Sequence, residues 1–173
     1  MKHVLNEYFD KIYCVTVADF HDRHQLVREQ LRGIDFEWVF SPPARYVTPL
    51  NKLSPSEVSL VLGTVSCIDN AKINGYERIA IWEDDGVIAA TEEQMRSFFK
   101  ELPEGWDCLY MGNASWTSVM KWLRTTPLSP HVNRVEWGTG SSFNAIQARA
   151  FDWVKDISLR FDCPLDFSYY QVF

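Results

Sequence analysis

The chain has 173 residues, 46% of them hydrophobic and 14% aromatic, which is long enough to bury one core and too apolar for a disordered segment. A net charge of −6 without a Lys/Arg cluster argues against nucleic acid as a partner, and leaves anionic ligands open only where a metal ion supplies positive charge locally. No apolar run approaches the roughly 18 residues of a membrane span, and Met1 to Asp10 carries Lys2, His3, Asn6 and Glu7 where a signal peptide needs an apolar stretch.

Lys11 to Val17 is rich in β-branched and aromatic residues and predicts the first strand. Asp19 to Arg32 predicts a helix, with Leu26, Val27 and Leu31 on one side and Gly33 as its stop. Phe36 to Phe40 predicts a short second strand, broken by Pro42 and Pro43, and Arg45 to Lys52 a loop. Ser54, Pro55 and Glu57 form a helix start with a capping box; Val58, Val61, Leu62, Val65 and Ile68 follow at helical spacing up to Gly75. Thr91 to Leu102 predicts a helix with Gln94 at the box position, and Asp107 to Met111 a strand stopped by Gly112. Ala114 to Arg134, with Trp116, Trp122, Pro127 and Pro130, reads as a long loop that suits a substrate lid. Strands are expected at Arg134 to Trp137 and Ser141 to Ile146, and a helix at Gln147 to Ile157; Arg160 to Phe173 is aromatic and irregular. This alternation predicts an α/β fold with a mostly parallel sheet flanked by helices and joined by right-handed crossovers, in a single domain.

Ile79 to Trp82 reads as a buried strand that ends in Glu83, Asp84 and Asp85 before Gly86. Three acids at the end of a buried strand cost desolvation energy unless something compensates them. In open α/β sheets this is the edge where ligands bind, and carboxylates suit Mg²⁺ or Mn²⁺ carrying a phosphorylated ligand. A solvated, capped turn before Gly86 is the plainer alternative. The four cysteines, Cys14, Cys67, Cys108 and Cys163, contain no CxxC pair and read as free thiols of a reducing compartment. The four histidines read as exposed surface.

Five segments, in order, resemble glycosyltransferase family 25, the lipooligosaccharide and collagen-type galactosyltransferases with a GT-A-like, Rossmann-like fold. VTVADFHDR (Val15 to Arg23) resembles the family's opening strand and turn, with Arg23 on its second arginine. LSPSEVSLVL (Leu53 to Leu62) resembles its LTPGEIGCAL, and IAIWEDDGV (Ile79 to Val87) its LILEDDV. LPEGWDCLYMG (Leu102 to Gly112) and GSSFNAIQARA (Gly140 to Ala150), followed by Pro164, Leu165 and Asp166, carry the rest. Three positions depart from the pattern. Gly63 and Thr64 stand where the family has Ser-His, and Asp19 replaces the first arginine of the opening turn.

The resemblance implies a glycosyltransferase domain over residues 1–173, with a nucleotide-sugar half of about 1–112 and an acceptor-side half of about 113–173. It implies transfer of a hexose, galactose favoured, from a UDP-sugar to a glycan or hydroxylated acceptor with inversion, assisted by Mn²⁺ or Mg²⁺. Asp85, with Asp84, is the candidate metal ligand; Glu83 or Asp84, Thr16, Val17 and Arg23 are candidates for the nucleotide, Arg23 through its phosphates. Asp166 is the candidate general base, with Phe167, Tyr169 and Tyr170 as a sugar-stacking wall. A cytoplasmic location follows, peripheral to a membrane at most through the acceptor. Two other classes compete: a nucleotide- or glycan-binding relative without turnover, and a metal-dependent phosphohydrolase, which the lack of a second dense acidic cluster disfavours.

Overall fold

The computed structural model describes residues 2–112, 124–137 and 142–165. In chain order they form α1 (Val4–Tyr8), β1 (Lys11–Val17), α2 (His21–Gln30), β2 (Glu37–Ser41), α3 (Pro55–Asn74), β3 (Arg78–Glu83), α4 (Glu92–Glu101), β4 (Cys108–Gly112), β5 (Arg124–Pro127), β6 (Asn133–Trp137), β7 (Phe143–Gln147) and α5 (Phe151–Ser158). Single 3₁₀ turns occupy Ala44–Tyr46 and Ala148–Ala150. The capping boxes form as the sequence predicts: Ser54 with Glu57 opens α3 and Thr91 with Gln94 opens α4. Gly75 ends α3 at φ 68°, a conformation that suits glycine.

Five strands form one sheet in the order β2-β1-β3-β7-β4. β1 pairs parallel with both β2 and β3, whereas β7 is antiparallel to both β3 and β4, so every strand but β7 runs the same way. The sheet is thus mostly parallel in direction, but the last strand departs from the expected parallel crossover. A parallel return from β4 would need a crossover of a dozen or more residues, usually helical. The chain instead passes through the hairpin β5–β6, a separate two-stranded sheet, and comes back reversed. The loop expected over Ala114 to Arg134 therefore contains β5, and the strand expected at Arg134 to Trp137 lies outside the main sheet.

Strand alternation sorts the core into two layers. Tyr13, Val15, Ile79, Ile81 and Ile146 pack under α3 and α5, against Val61, Ile68 and Val154. Ile12, Cys14, Ala80, Trp82 and Ala145 pack under α1 and α2. α3 lies so close to β1 and β2 that a Cβ on Gly63 would stand 2.2 Å from Ser41 Oγ and 2.6 Å from Val15 Cγ1. The glycine at this departure from the family pattern is therefore a packing requirement. Cys14 and Cys67 are buried and Cys108 and Cys163 partly so. Among the described residues no helix is long and apolar enough to cross a membrane.

Candidate functional site

The sheet topology creates a crevice at the carboxyl end of β1. α2 leaves β1 on one face, while α3 follows β2 onto the other, the geometry at which open α/β sheets bind ligands. β1 and β3 are in register, Val15 opposite Glu83, so one step further Thr16 and Asp84 are neighbours. Alternation turns both toward α2, as it does Cys14 and Trp82. The first turns of α2 then lower Arg23 and His24 onto them.

The result is a bonded cluster. Thr16 Oγ1 donates to Asp84 Oδ2 at 2.6 Å, and Arg23 Nη1 donates to Asp84 Oδ1 at 2.6 Å. Asp84 is 8% exposed, and these two donors offset the cost of burying its charge. The Arg23 guanidinium is held still more firmly protonated, first by the Asp84 hydrogen bond, against a smaller desolvation effect. Its hydrogen bonds to described residues use Nη1 alone; the side chain is 46% exposed and rests over the Phe20 ring at 5.0 Å. The cleft beside it, of about 340 Å³, is lined by Asp19, Phe20, His21, Asp22 and Arg23.

The three acids of the β3 end separate into three environments. Glu83 is half-buried, and its N–H donates to the Ser142 carbonyl at 2.9 Å, tying the acid turn to the start of β7. Asp84 faces inward. Asp85 is 62% exposed, with Arg23 Nη1 at 3.9 Å. Gly86 closes the turn by donating to the Glu83 carbonyl, and a Cβ there would meet the Trp82 ring at 2.8 Å. Val17 is half-buried at the very end of β1, opposite Ser41, and its carbonyl accepts from the Phe20 N–H.

Metal chemistry fits only part of this arrangement. Both Asp84 oxygens already accept hydrogen bonds, one from a cation, so Asp84 is the carboxylate least open to a divalent ion. Asp85 is accessible, and Mg²⁺ commonly uses one or two carboxylates with substrate phosphates and water completing its shell. Among the described residues no group of three or more His, Cys, Asp or Glu side chains is placed to hold an ion unaided.

Thr16, Val17, Arg23, Glu83, Asp84 and Asp85 thus converge on one edge. Asp166, Phe167, Tyr169, Tyr170, Trp116 and Trp122 lie outside the described residues. His24, expected on the surface, is 7% exposed and bonded within the cluster. The signal is its spacing: His24, Val27 and Leu31 share the buried face of α2, while Leu26, expected there, is 59% exposed. His3 also departs from the surface expectation, half-buried as the N-cap of α1. Asp19 pairs with Arg45 at 2.6 Å, so its charge at the mouth is met by a cation of the chain itself. Asp107, at the foot of β4, binds Arg149 at 2.7 Å, a structural role.

No family model matches the chain, and no curated protein matches it. Among solved structures it is similar to a mannose-1-phosphate geranyltransferase from Thermus thermophilus, at 13% identity and a TM-score of 0.45. The match covers 92% of this chain and 52% of that one, so the chain spans about half the length of the solved structure.

Proposed function

We propose that this protein is a nucleotide-sugar-dependent transferase, and more finely a family 25-like glycosyltransferase that moves a hexose, galactose favoured, from a UDP-sugar to a glycan or hydroxylated acceptor. The observation that carries the reading is the cluster at the carboxyl ends of β1 and β3: an inward aspartate holding a half-exposed arginine, next to an outward aspartate. Such an edge receives an anion and a cation together. A divalent ion bound at Asp85 would supply Lewis-acid stabilisation to the leaving diphosphate. Arg23 would grip the diphosphate with the guanidinium face that Asp84 does not occupy. Thr16 and Val17 would border the nucleoside, with Glu83 at the sugar side of the turn. Asp166 is the base candidate on motif order alone, accepting the proton of the attacking hydroxyl.

A second reading, a nucleotide- or glycan-binding relative without turnover, is favoured by Asp19 and Arg45, which neutralise each other where the resemblance expects an arginine. Calorimetric titration of UDP with Mn²⁺, repeated with EDTA and with Asp85→Ala, tests the donor site. Binding that needs both the ion and Asp85 supports the proposal, and hydrolysis of UDP-galactose then separates enzyme from binder. No binding under any condition removes the enzyme reading and leaves an interaction role, such as glycan binding, in its place.

A further inference from the structure

His24 is a buried polar group of the β1–β3 cluster that the proposed chemistry leaves unused. Its ring packs against Trp38, with centroids 5.0 Å apart, and against Phe40 at 5.8 Å. Its Nε2 atom lies 3.0 Å from the Val17 carbonyl and 3.1 Å from Thr16 Oγ1. A carbonyl only accepts, so Nε2 carries the hydrogen. Thr16 has one hydroxyl hydrogen and gives it to Asp84, so toward His24 it accepts. The direction of donation is therefore fixed along the whole relay: His24 to Thr16, Thr16 to Asp84, and Arg23 to Asp84.

The Val17 carbonyl shows what this order achieves. It lies 3.5 Å from Thr16 Oγ1 and is the alternative acceptor for the threonine hydrogen. With the imidazole N–H on that carbonyl and on Thr16 itself, the hydroxyl is left one acceptor, Asp84. A side chain that merely filled the space would leave Thr16 two choices and Asp84 a less defined rotamer.

We propose that His24 is a positioning residue that acts through Thr16 to fix the Asp84 carboxylate, and thereby the direction in which Arg23 offers its guanidinium to a diphosphate at the mouth. The ligand in this statement rests on the nucleotide-sugar reading above; the relay does not. Hydrogen bonds in series polarise one another, so the effect should exceed that of one isolated contact.

Three measurements test it. Long-range ¹H–¹⁵N correlation spectra of the imidazole are expected to show the Nε2–H tautomer; an Nδ1–H tautomer overturns the proposal. UDP titration with Mn²⁺ is expected to weaken about tenfold in His24→Leu. In His24→Gln, which keeps an N–H donor at similar reach, it should stay within about threefold of the parent. Equal losses in the two variants, at similar melting temperatures, assign His24 to packing and overturn the proposal. If the parent protein does not bind UDP, the ligand reading fails alone, and urea unfolding still decides the relay. His24→Leu and Asp84→Asn should then be non-additive although the two residues share no bond, with the coupling lost in a Thr16→Val background. Additive effects overturn it.

Discussion

The carboxyl edge of the sheet carries two arginine–aspartate pairs of the same length and unlike character. Arg23–Asp84 and Arg45–Asp19 both close at 2.6 Å. Asp84 is 8% exposed and takes a second bond from Thr16, whereas the Arg45 and Asp19 side chains are 59% and 49% exposed. Distance alone would rank them equal. Burial separates them, because a charge out of water depends on its partners and a charge in water does not. One pair is thus part of the fold as well as of the site, and the other is a surface feature of the mouth.

Removing a partner from each pair sharpens the contrast. Arg23→Leu leaves the Asp84 carboxylate buried with Thr16 alone. Losing one partner of a buried pair costs roughly 3–5 kcal/mol; half-exposure of Arg23 reduces the expectation to about 2–3 kcal/mol, read as a lower urea midpoint at neutral pH. Replacing both members, Arg23→Leu with Asp84→Leu, should recover much of that loss, since the unpaired charge disappears. A double variant as unstable as the single one would mean that the pair's packing matters more than its charge.

The buried side of the comparison also has a pH signature. Burial, and then the Asp84 charge, pushes the Cys14 thiol well above its ordinary range; burial does the same to Cys67, Cys108 and the Tyr13 hydroxyl. A group with a raised folded pKa keeps its proton in the native state after the unfolded chain has lost it. Its contribution is complete below the unfolded value and is lost as pH rises. Stability should therefore be flat from pH 6 to 8 and fall from about pH 8.5 upward, by roughly 1 kcal/mol per pH unit for each such thiol. Urea midpoints measured under reducing conditions check this, and Asp84→Asn should soften the fall. A profile level to pH 10 would show that these thiols are open to solvent.

Beneath both pairs lies the contact of α3 with β1 and β2. Gly63→Ala would drive a methyl into Ser41 Oγ and Val15 Cγ1, one residue from Thr16. Overpacking of this kind costs about 1–3 kcal/mol. Differential scanning calorimetry should show a lower melting temperature, with UDP affinity reduced as well if β1 shifts under the cluster.

Much of this edge is legible in the sequence because its signals are local. The Ser54 and Thr91 capping boxes, the Gly75 stop and the acid-tipped strand each lie within a few residues and appear where expected. Direction and partnership are less local. Whether Phe143–Gln147 runs parallel or antiparallel depends on how the chain travels from β4, and five residues read the same either way. The separate environments of Glu83, Asp84 and Asp85 follow from which face the strand presents to α2, a consequence of register with β1. His24 is easily misread because a histidine flanked by Asp22, Arg23 and Gln25 resembles a solvated surface, whereas its spacing from Val27 and Leu31 places it inside.

The smallest stability effect should come from the exposed pair, and it separates stability from function most cleanly. Both Arg45 and Asp19 remain solvated when parted, so Arg45→Ala should leave the urea midpoint unchanged within error. The same change exposes an unbalanced Asp19 carboxylate in the cleft beside Arg23. An approaching diphosphate would then meet a net negative rim, and its affinity should drop a few-fold at low salt. Raising the ionic strength should erase the difference, because exposed charges are screened within about 8–10 Å at physiological salt and less at higher salt. Asp19→Asn should act in the opposite direction, strengthening UDP binding with the same salt dependence. If neither variant changes binding at low salt while Arg23→Leu abolishes it, the ligand does not pass over the Asp19 rim and the mouth opens on the β3 side, toward Asp85 and Ser142.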